Sequence, residues 1–464
     1  MTTTLLCNAA IVTMNDAADV IDPGWILIDG TTIVSIGAGD PPPDVSQRLG
    51  ERSGETVDCA GMAVMPGMVN AHTHLFQTFF RGLADDKPLL DWLKDCIWPG
   101  ASHLDADTAY LAAKVGIVEN LLTGATSIID HQYVHADPLT SEAVCRAADE
   151  LNVRFVLARG WADRNYHEPL AETADEVIAR CRALHDEWDG ANDGLINIEI
   201  GPLIPWGCSD DAMRRVIDEA RSWGRGTHHH CAETAIEVEM SLEERGVRHV
   251  PWLRDLGALG PDAQLAHSVW LDDEEIAIVA ETGSIVVHCP VSNMYLASGV
   301  PRIPEMRSAG VTVALASDGP GSNNRQDMFE AMKTSILLQK VHHLDAMILQ
   351  PHDAIDMACT GGAAALGRGA DLGSIEPGKL ADLTIVDLRK PHIAPVHSVE
   401  SALVFCATPQ DVVHVIVDGI FVVRDGAIPG LDVDSLLAEA CAAAADLFRK
   451  AGIESRISRE VRVC

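Results

Sequence analysis

No Cys-x-x-Cys pair occurs anywhere in the 464 residues, although the chain has 12 cysteines. Scattered singly, they argue against a thiolate zinc site and against a secreted disulfide framework, and read as plain buried thiols. Basic residues are scarce as well: 34 Lys and Arg stand against 68 Asp and Glu, a formal net charge of −34. Such a surface repels phosphate backbones and anionic lipid, which argues against nucleic acid and membrane as partners. No apolar run reaches the ~18 residues of a membrane span. The opening MTTTLLCNAAIVTMND also lacks the basic start and long apolar stretch of a signal peptide. A soluble, cytoplasmic protein is expected, a homo-oligomer acting on a small molecule.

What is present is a large apolar fraction, 47%, in a chain too long for one ordinary domain. The first residues read as short strands between turns (LLCNAAIVTM, GWILIDG, TTIVSIG, GMAVMPG). The same texture returns in ADLTIVDL, VVHVIVDG and IFVVRDG, with Asp-Gly as hairpin chemistry. Both ends therefore predict one small β-sandwich, residues 1–66 and 380–430, with a larger domain inserted at 67–379 and a helical segment at 431–464. In the insert, eight apolar runs of strand length alternate with helical patterns: MVNAHTH, TSIIDHQ, RFVLARG, INIEIGP, GTHHHCAE, AQLAHSV, SIVVHCP and TVALASDG. That alternation over roughly 300 residues predicts an α/β fold, a (β/α)8 TIM barrel, with a doubly wound open sheet as the competing arrangement.

The polar residues sit at one end of these runs. His72 and His74 end the first, His230 and Glu233 the fifth, and His267 the sixth; His288 closes the seventh and Asp318 the eighth. In a barrel those ends face one mouth, where active sites lie. Side-chain alternation places His72 and His74 on one side of their strand, and two imidazoles, a third and a carboxylate suit a divalent transition metal. Structural alternatives exist for each residue taken singly: Glu233 as a helix cap, His267 as a core histidine, Asp318 as a turn aspartate. The HHH run at 228–230 leaves two candidates by geometry, since His228 and His230 share a face and His229 takes the other.

VMPGMVNAHTH, the HxxE of HCAET, AHS at 266–268, HCPVSN at 288–293, SDGPGSNN at 317–324 and GSIEPGKLADLTIVDL together resemble the amidohydrolase superfamily, over nearly the whole chain. Some members bridge two metals with a lysine of the fourth strand. Here that strand is INIEIGP, and no lysine occurs between Lys114 and Lys333, which points to the single-metal, deaminase-like branch. The resemblance implies one divalent ion, zinc or alternatively iron, on His72, His74, His230 and Asp318, and its H-x-x-E spacing selects His230 from the triplet. His228 is left deeper in the barrel and His229 toward the helices, both as packing. It further implies metal-activated water attacking an sp² ring carbon. Asp318 would take the water's proton, Glu233 would protonate the ring nitrogen and His267 would stabilise the developing oxyanion.

For the substrate, RGLADD-x-PL-x-x-WL ending in IWP, with ASGVPRIPEM and SDGPGSNNRQDMFEAMK, is similar to the methylthioadenosine and S-adenosylhomocysteine deaminases. Two features depart from them. Pro99-Gly100-Ala101 has no carboxylate where those enzymes grip ribose, and Leu203 stands where they carry a base-contacting histidine. Gln77 matches a glutamine that binds the heterocycle edge in 8-oxoguanine and pterin deaminases. WPG at 98–100 and LRKP at 388–391 resemble the triazine hydrolases, including atrazine chlorohydrolase. Trp92 is a candidate to stack on a flat ring, and His288 either contacts substrate or packs beneath the site. The resemblance thus implies a metal-dependent aminohydrolase of a nitrogen heteroaromatic ring (purine, pterin, pyrimidine or triazine) with no ribose requirement. The alternative is a triazine hydrolase expelling chloride or an alkylamine. A metal-keeping binding subunit would lack the proton shuttles present here, and cyclic-amide hydrolysis, as in imidazolonepropionase-like relatives, would release no ammonia.

Overall fold

The computed structural model describes residues 3–51, 54–83 and 85–453. Two compact units form, one from Met1–Ala71, Glu119–Ile128 and Asp327–Gly430, the other from His72–Val118, Ile129–Gln326 and Leu431–Cys464.

The chain opens with β1 (Thr3–Val12), β2 (Val20–Asp29), β3 (Thr32–Ala38), β4 (Glu55–Asp58) and β5 (Met62–Pro66). Eight further strands follow: β6 (Met68–Thr73), β7 (Ala125–Gln132), β8 (Arg154–Trp161), β9 (Ile196–Pro202), β10 (Thr227–Cys231), β11 (Ala263–His267), β12 (Ile285–His288) and β13 (Val313–Leu315). The last three are β14 (Leu383–Asp387), β15 (Val412–Val417) and β16 (Ile420–Val423).

In the first unit one sheet runs β16-β15-β14-β5-β1-β2-β3, with β4 paired beside β1. The antiparallel pairing of β14 with β5, from Leu383 opposite Pro66 to Asp387 opposite Met62, joins the two ends of the chain as their matching strand texture predicts. Alternation along the strands separates two apolar faces. Leu6, Ile11, Ile26, Ile28, Val64, Leu383 and Ile385 pack on one, and Leu5, Trp25, Leu27 and Val45 on the other. Each such side chain taken out of water contributes about 1.5–3 kcal/mol. The turn between β15 and β16 is Asp418-Gly419, both with positive φ (51° and 78°), the type I′ geometry that matches strand twist. A Cβ on Gly419 would fall 1.9 Å from the Gly30 carbonyl oxygen, so only glycine fits.

In the second unit lie most of the eight strands that run in the order β6 through β13. Pairing is parallel from β8 to β9 and from β10 through β13. The ring is completed where Asp318 N–H, just past β13, donates to the His72 carbonyl at 3.0 Å. This is the expected (β/α)8 barrel. Its strands read as continuous apolar runs because they are buried on both faces. Helices cover the outside where their patterns predict, such as Ala106–Leu122 and Asp210–Ser222. The C-terminal helix Val433–Ala451 is capped by Asp432, whose carboxylate accepts from Ser435 N, and sets Phe448 edge-on to Phe80. Residues 454–464 of the expected C-terminal segment lie outside the described residues. All eleven described cysteines are free thiols, and among the described residues no helix is long and apolar enough to cross a membrane.

Candidate active site

His72 and His74 end β6, His230 ends β10 and Asp318 follows β13, so strands on opposite sides of the barrel bring four side chains to one point. The ligand-capable nitrogens of His72, His74 and His230 all lie within 4.8 Å of one another. Asp318 Oδ1 is 3.4 Å from His72 Nε2 and 3.3 Å from His74 Nε2. Each of these side chains is buried.

The protonation pattern can be read from the outer partners. His74 Nδ1 faces the His131 carbonyl at 2.7 Å, and His230 Nδ1 faces the Leu203 carbonyl at 2.6 Å. A carbonyl only accepts, so both Nδ1 atoms carry the hydrogen and both Nε2 atoms present lone pairs. Those two lone pairs meet at 3.3 Å. His72 Nε2, buried between them and Asp318, has no well-directed hydrogen-bond partner. Burial holds all three imidazoles below their ordinary pKa, His74 down to about 3, so they are neutral. Buried acceptors without donors cost roughly 1–3 kcal/mol each. Three of them around a carboxylate form a donor set that fits a divalent cation.

Asp318 is held in place by three hydrogen bonds. Its Oδ1 accepts from Gly319 N at 2.6 Å, and its Oδ2 from the hydroxyls of Ser292 (2.5 Å) and Ser322 (2.9 Å). Burial pushes its carboxyl up, but it is held well below the usual range, the charge of His267 among the causes. Its backbone, like that of His267, takes a positive φ (62° and 69°), a strained conformation common where a side chain must be aimed.

Glu233 lies just beyond β10 and is buried. It does not cap the helix Ala235–Arg245; Thr234 and Glu237 form that capping box. Glu233 Oε1 instead accepts from the Ser298 hydroxyl at 3.0 Å, and Oε2 lies 3.6 Å from His267 Nε2. Burial pushes its carboxyl up to about 7 against the pull of His267. The His267 imidazole is opposed by burial but raised well above its ordinary value by Glu233, then Cys289 and Asp318. Its Nδ1 faces Asn293 Oδ1 at 3.0 Å, which leaves Nε2 turned toward Glu233. The site thus sets the Asp318 carboxylate beside a buried glutamate–histidine pair able to hold and hand over a proton.

These groups face a cavity. Its wall carries four aromatic residues, Trp92, Tyr133, Tyr166 and Trp206, with aliphatic surface from Leu89, Leu93, Leu203, Ile204 and Leu296. Apart from Asp318 and Glu233, no carboxylate lines it among the described residues. Trp92 is on the wall as expected, its indole N–H donating to the Gly321 carbonyl at 3.0 Å. Two expected substrate contacts are not brought there. Gln77 is fully buried behind the wall, its Nε2 donating to Tyr133 OH at 2.9 Å and its Oε1 accepting from Gly321 N at 3.2 Å. His288 is fully buried, neither ring nitrogen has a hydrogen-bond partner, and burial with the neighbouring His267 lowers its pKa to about 3. Sequence reasoning missed Tyr133, Tyr166 and Trp206, and it gave no role to Ser292, Asn293 and Ser298. The latter stand in HCPVSN and ASGVP, where a hydroxyl or amide beside each candidate acid was the available signal. His228 was read as packing, yet its Nε2 lies 2.7 Å from His72 Nδ1.

Residues 63–422 match the sequence model of the amidohydrolase family. A 5-methylthioadenosine/S-adenosylhomocysteine deaminase of Pelotomaculum thermopropionicum is 36% identical over 440 residues, 95% of this chain and 98% of that one. A 5′-deoxyadenosine deaminase of Methanothermobacter thermautotrophicus is 40% identical over 405 residues, 87% and 92% of the two chains. Among solved structures, an adenosine deaminase from Xanthomonas campestris with bound zinc superposes with a TM-score of 0.89 at 31% identity, covering 97% of this chain and 99% of that one.

Proposed function

The chain belongs to the amidohydrolase family, and on that premise we propose that it is a zinc-dependent hydrolytic deaminase of a nitrogen heteroaromatic ring. The observation that carries this reading is the meeting of three neutral imidazoles and a carboxylate with a protonatable glutamate, at the floor of an aromatic cavity. His72, His74, His230 and Asp318 would hold the ion. When bound, it supplies Lewis-acid activation of water near neutral pH.

The chain's own residues account for the proton movements. Asp318, held as a carboxylate, accepts the proton of the attacking water. Glu233, in its acid form, donates to the ring nitrogen next to the carbon under attack. His267, as the imidazolium, faces the negative charge that develops on the incoming oxygen. The proton stored on Asp318 then leaves with the amino group as ammonia, the remaining proton of the added hydroxyl returns to Glu233, and the ring keeps a carbonyl. One water is consumed and one ammonia released per turnover.

The wall supports a flat, sugar-free substrate. Aromatic and aliphatic side chains offer stacking surface, while Gly100 and Ala101 supply no carboxylate for ribose hydroxyls. The relatives named for nucleosides share the reaction class under this reading and differ in what the pocket grips. The test is a panel of purine, pterin, pyrimidine and triazine amines and nucleosides offered to zinc-replete protein, with ammonia, chloride and alkylamine measured. Ammonia from free heterocycles in preference to nucleosides is the expected result. Preference for a nucleoside would remove the sugar-free reading, and chloride or alkylamine release would replace deamination with displacement.

A further inference from the structure

Two of the three clustered imidazoles are oriented by main-chain carbonyls, and one is not. His72 Nδ1 faces another imidazole, His228 Nε2, at 2.7 Å. The two ring planes differ by only 6° and the centroids lie 4.9 Å apart. That separation exceeds the N···N distance by about two ring radii, so the rings meet edge to edge in nearly one plane. This is the geometry of an N–H···N hydrogen bond.

The contact continues inward. His228 Nδ1 lies 3.0 Å from Gln264 Oε1, and Gln264 Nε2 donates to Glu199 Oε1 at 3.5 Å. The path is built by adjacent strands: His228 on β10 is the register partner of Gln264 on β11, and Glu199 on β9 precedes Ile200, the partner of Thr227. All four side chains are buried. Gly226 leaves room at the far end, where a Cβ would come within 3.3 Å of Glu199 Oε1 and collide with the Asp262 carbonyl at 2.3 Å.

The sense of every hydrogen bond follows from the far end. Burial pushes the Glu199 carboxyl up to about 7, yet its Oε1 is placed to accept from the Gln264 NH₂, which leaves the amide oxygen for His228. That oxygen accepts from His228 Nδ1–H, which makes His228 Nε2 the acceptor. His72 Nδ1 must then carry a hydrogen, and His72 Nε2 is left as a lone pair at the centre of the cluster. We propose that Glu199, Gln264 and His228 are positioning residues that lock His72 in its Nδ1–H tautomer and thereby set the affinity of the zinc site. The inference rests on the metal reading above and goes beyond it. It assigns a purpose to the second histidine of the triplet, and to a carboxylate three side chains away from the ion. Outer hydrogen-bond partners of a metal-binding histidine fix its tautomer and ring orientation, and are worth about 10–100-fold in metal affinity.

The experiment is chelator competition for zinc, read as a dissociation constant, on the full chain and on His228→Leu, His228→Gln and Glu199→Gln. Thermal unfolding of each zinc-free protein is followed alongside. The unsubstituted chain should bind one zinc. His228→Leu should weaken binding about 10–100-fold. His228→Gln keeps an acceptor for His72 and should recover most of that loss. Glu199→Gln, nearly isosteric and remote from the ion, should weaken binding severalfold with an unchanged zinc-free unfolding midpoint. If His228→Leu does not fold, Glu199→Gln and His228→Gln decide the matter. One zinc bound by the unsubstituted chain, with unchanged affinity in both of those variants, overturns the relay and leaves the metal reading standing. No zinc bound by the unsubstituted chain overturns both.

Discussion

Glu233 Oε2 and His267 Nε2 face each other at 3.6 Å, both side chains shielded from water. On the proposed reading, this pair is what adds proton transfer to the cation site. Replacing Glu233 by Gln keeps the shape and the Ser298 contact but leaves no transferable proton. Turnover should fall about 10²–10⁴-fold with zinc content unchanged, measured as steady-state ammonia release against metal analysis of the same sample. Turnover within a few-fold of the parent would take Glu233 out of the reaction.

The pH profile follows from the same pair. Glu233 must be protonated to donate, and its carboxyl is pushed up to about 7 by burial. The competent form is therefore present below that value and lost as pH rises through it. Asp318 must be ionised to accept, and its carboxyl is held well below the usual carboxylate range, so it is in its working form throughout. Accordingly kcat/KM should decline on the alkaline side of about 7 and stay flat toward mild acid. A profile that climbs through neutrality would contradict the assignment of Glu233 as the acid.

The 3.3 Å approach of His74 Nε2 to His230 Nε2 sets the metal dependence. Chelation should abolish activity and zinc should restore it. Because the ion binds the folded chain, it should also raise the unfolding midpoint in a concentration-dependent way. His230→Ala should lose the metal in the same assay. A chelated sample that retains full activity would refute this.

Asp318→Asn keeps an oxygen for Ser292 and Ser322 while removing the base. Activity should drop by about 10³-fold or more, within the range of a lost proton acceptor, with circular dichroism unchanged. Retained activity would leave the proposed base without a role.

Gln77 and Trp92 should separate in their effects. Gln77→Leu strands the Tyr133 hydroxyl and Gly321 N–H and should destabilise the fold by about 1–3 kcal/mol, with KM moving only through the displaced Tyr133. Trp92→Ala removes part of the cavity wall and should raise KM for flat rings about tenfold or more, beyond its cost in stability. Denaturant unfolding and Michaelis kinetics on both variants distinguish wall from support. A larger KM change in Gln77→Leu than in Trp92→Ala would reverse the placement.

How far the sequence announced this site depended on the kind of signal. Barrel strands such as RFVLARG and SIVVHCP were legible because burial on both faces demands uninterrupted apolar runs. The polar residues closing five of the eight runs mark the mouth. His72 and His74 shared a face by alternation alone. By contrast, Tyr133, Tyr166 and Trp206 come from separate loops, and only closure of the barrel brings them to one wall. His228 was placed on the correct face, yet its contact with His72 needs β6 and β10 to meet across the barrel interior, which no spacing within β10 encodes. Gln77 was expected at the substrate from its match to a glutamine of the 8-oxoguanine and pterin deaminases, whereas the turn after β6 carries its amide behind Tyr133.

The central claim is hydrolytic loss of an amino group from a heteroaromatic ring, and isotope-labelled water tests it most directly. Zinc-replete protein, incubated in ¹⁸O-water with the best substrate of the panel, should yield one ammonia per product and a ring carbonyl carrying a single ¹⁸O by mass spectrometry. Turnover that leaves the ring free of ¹⁸O, opens the ring without ammonia, or proceeds equally well after zinc is stripped would contradict the account.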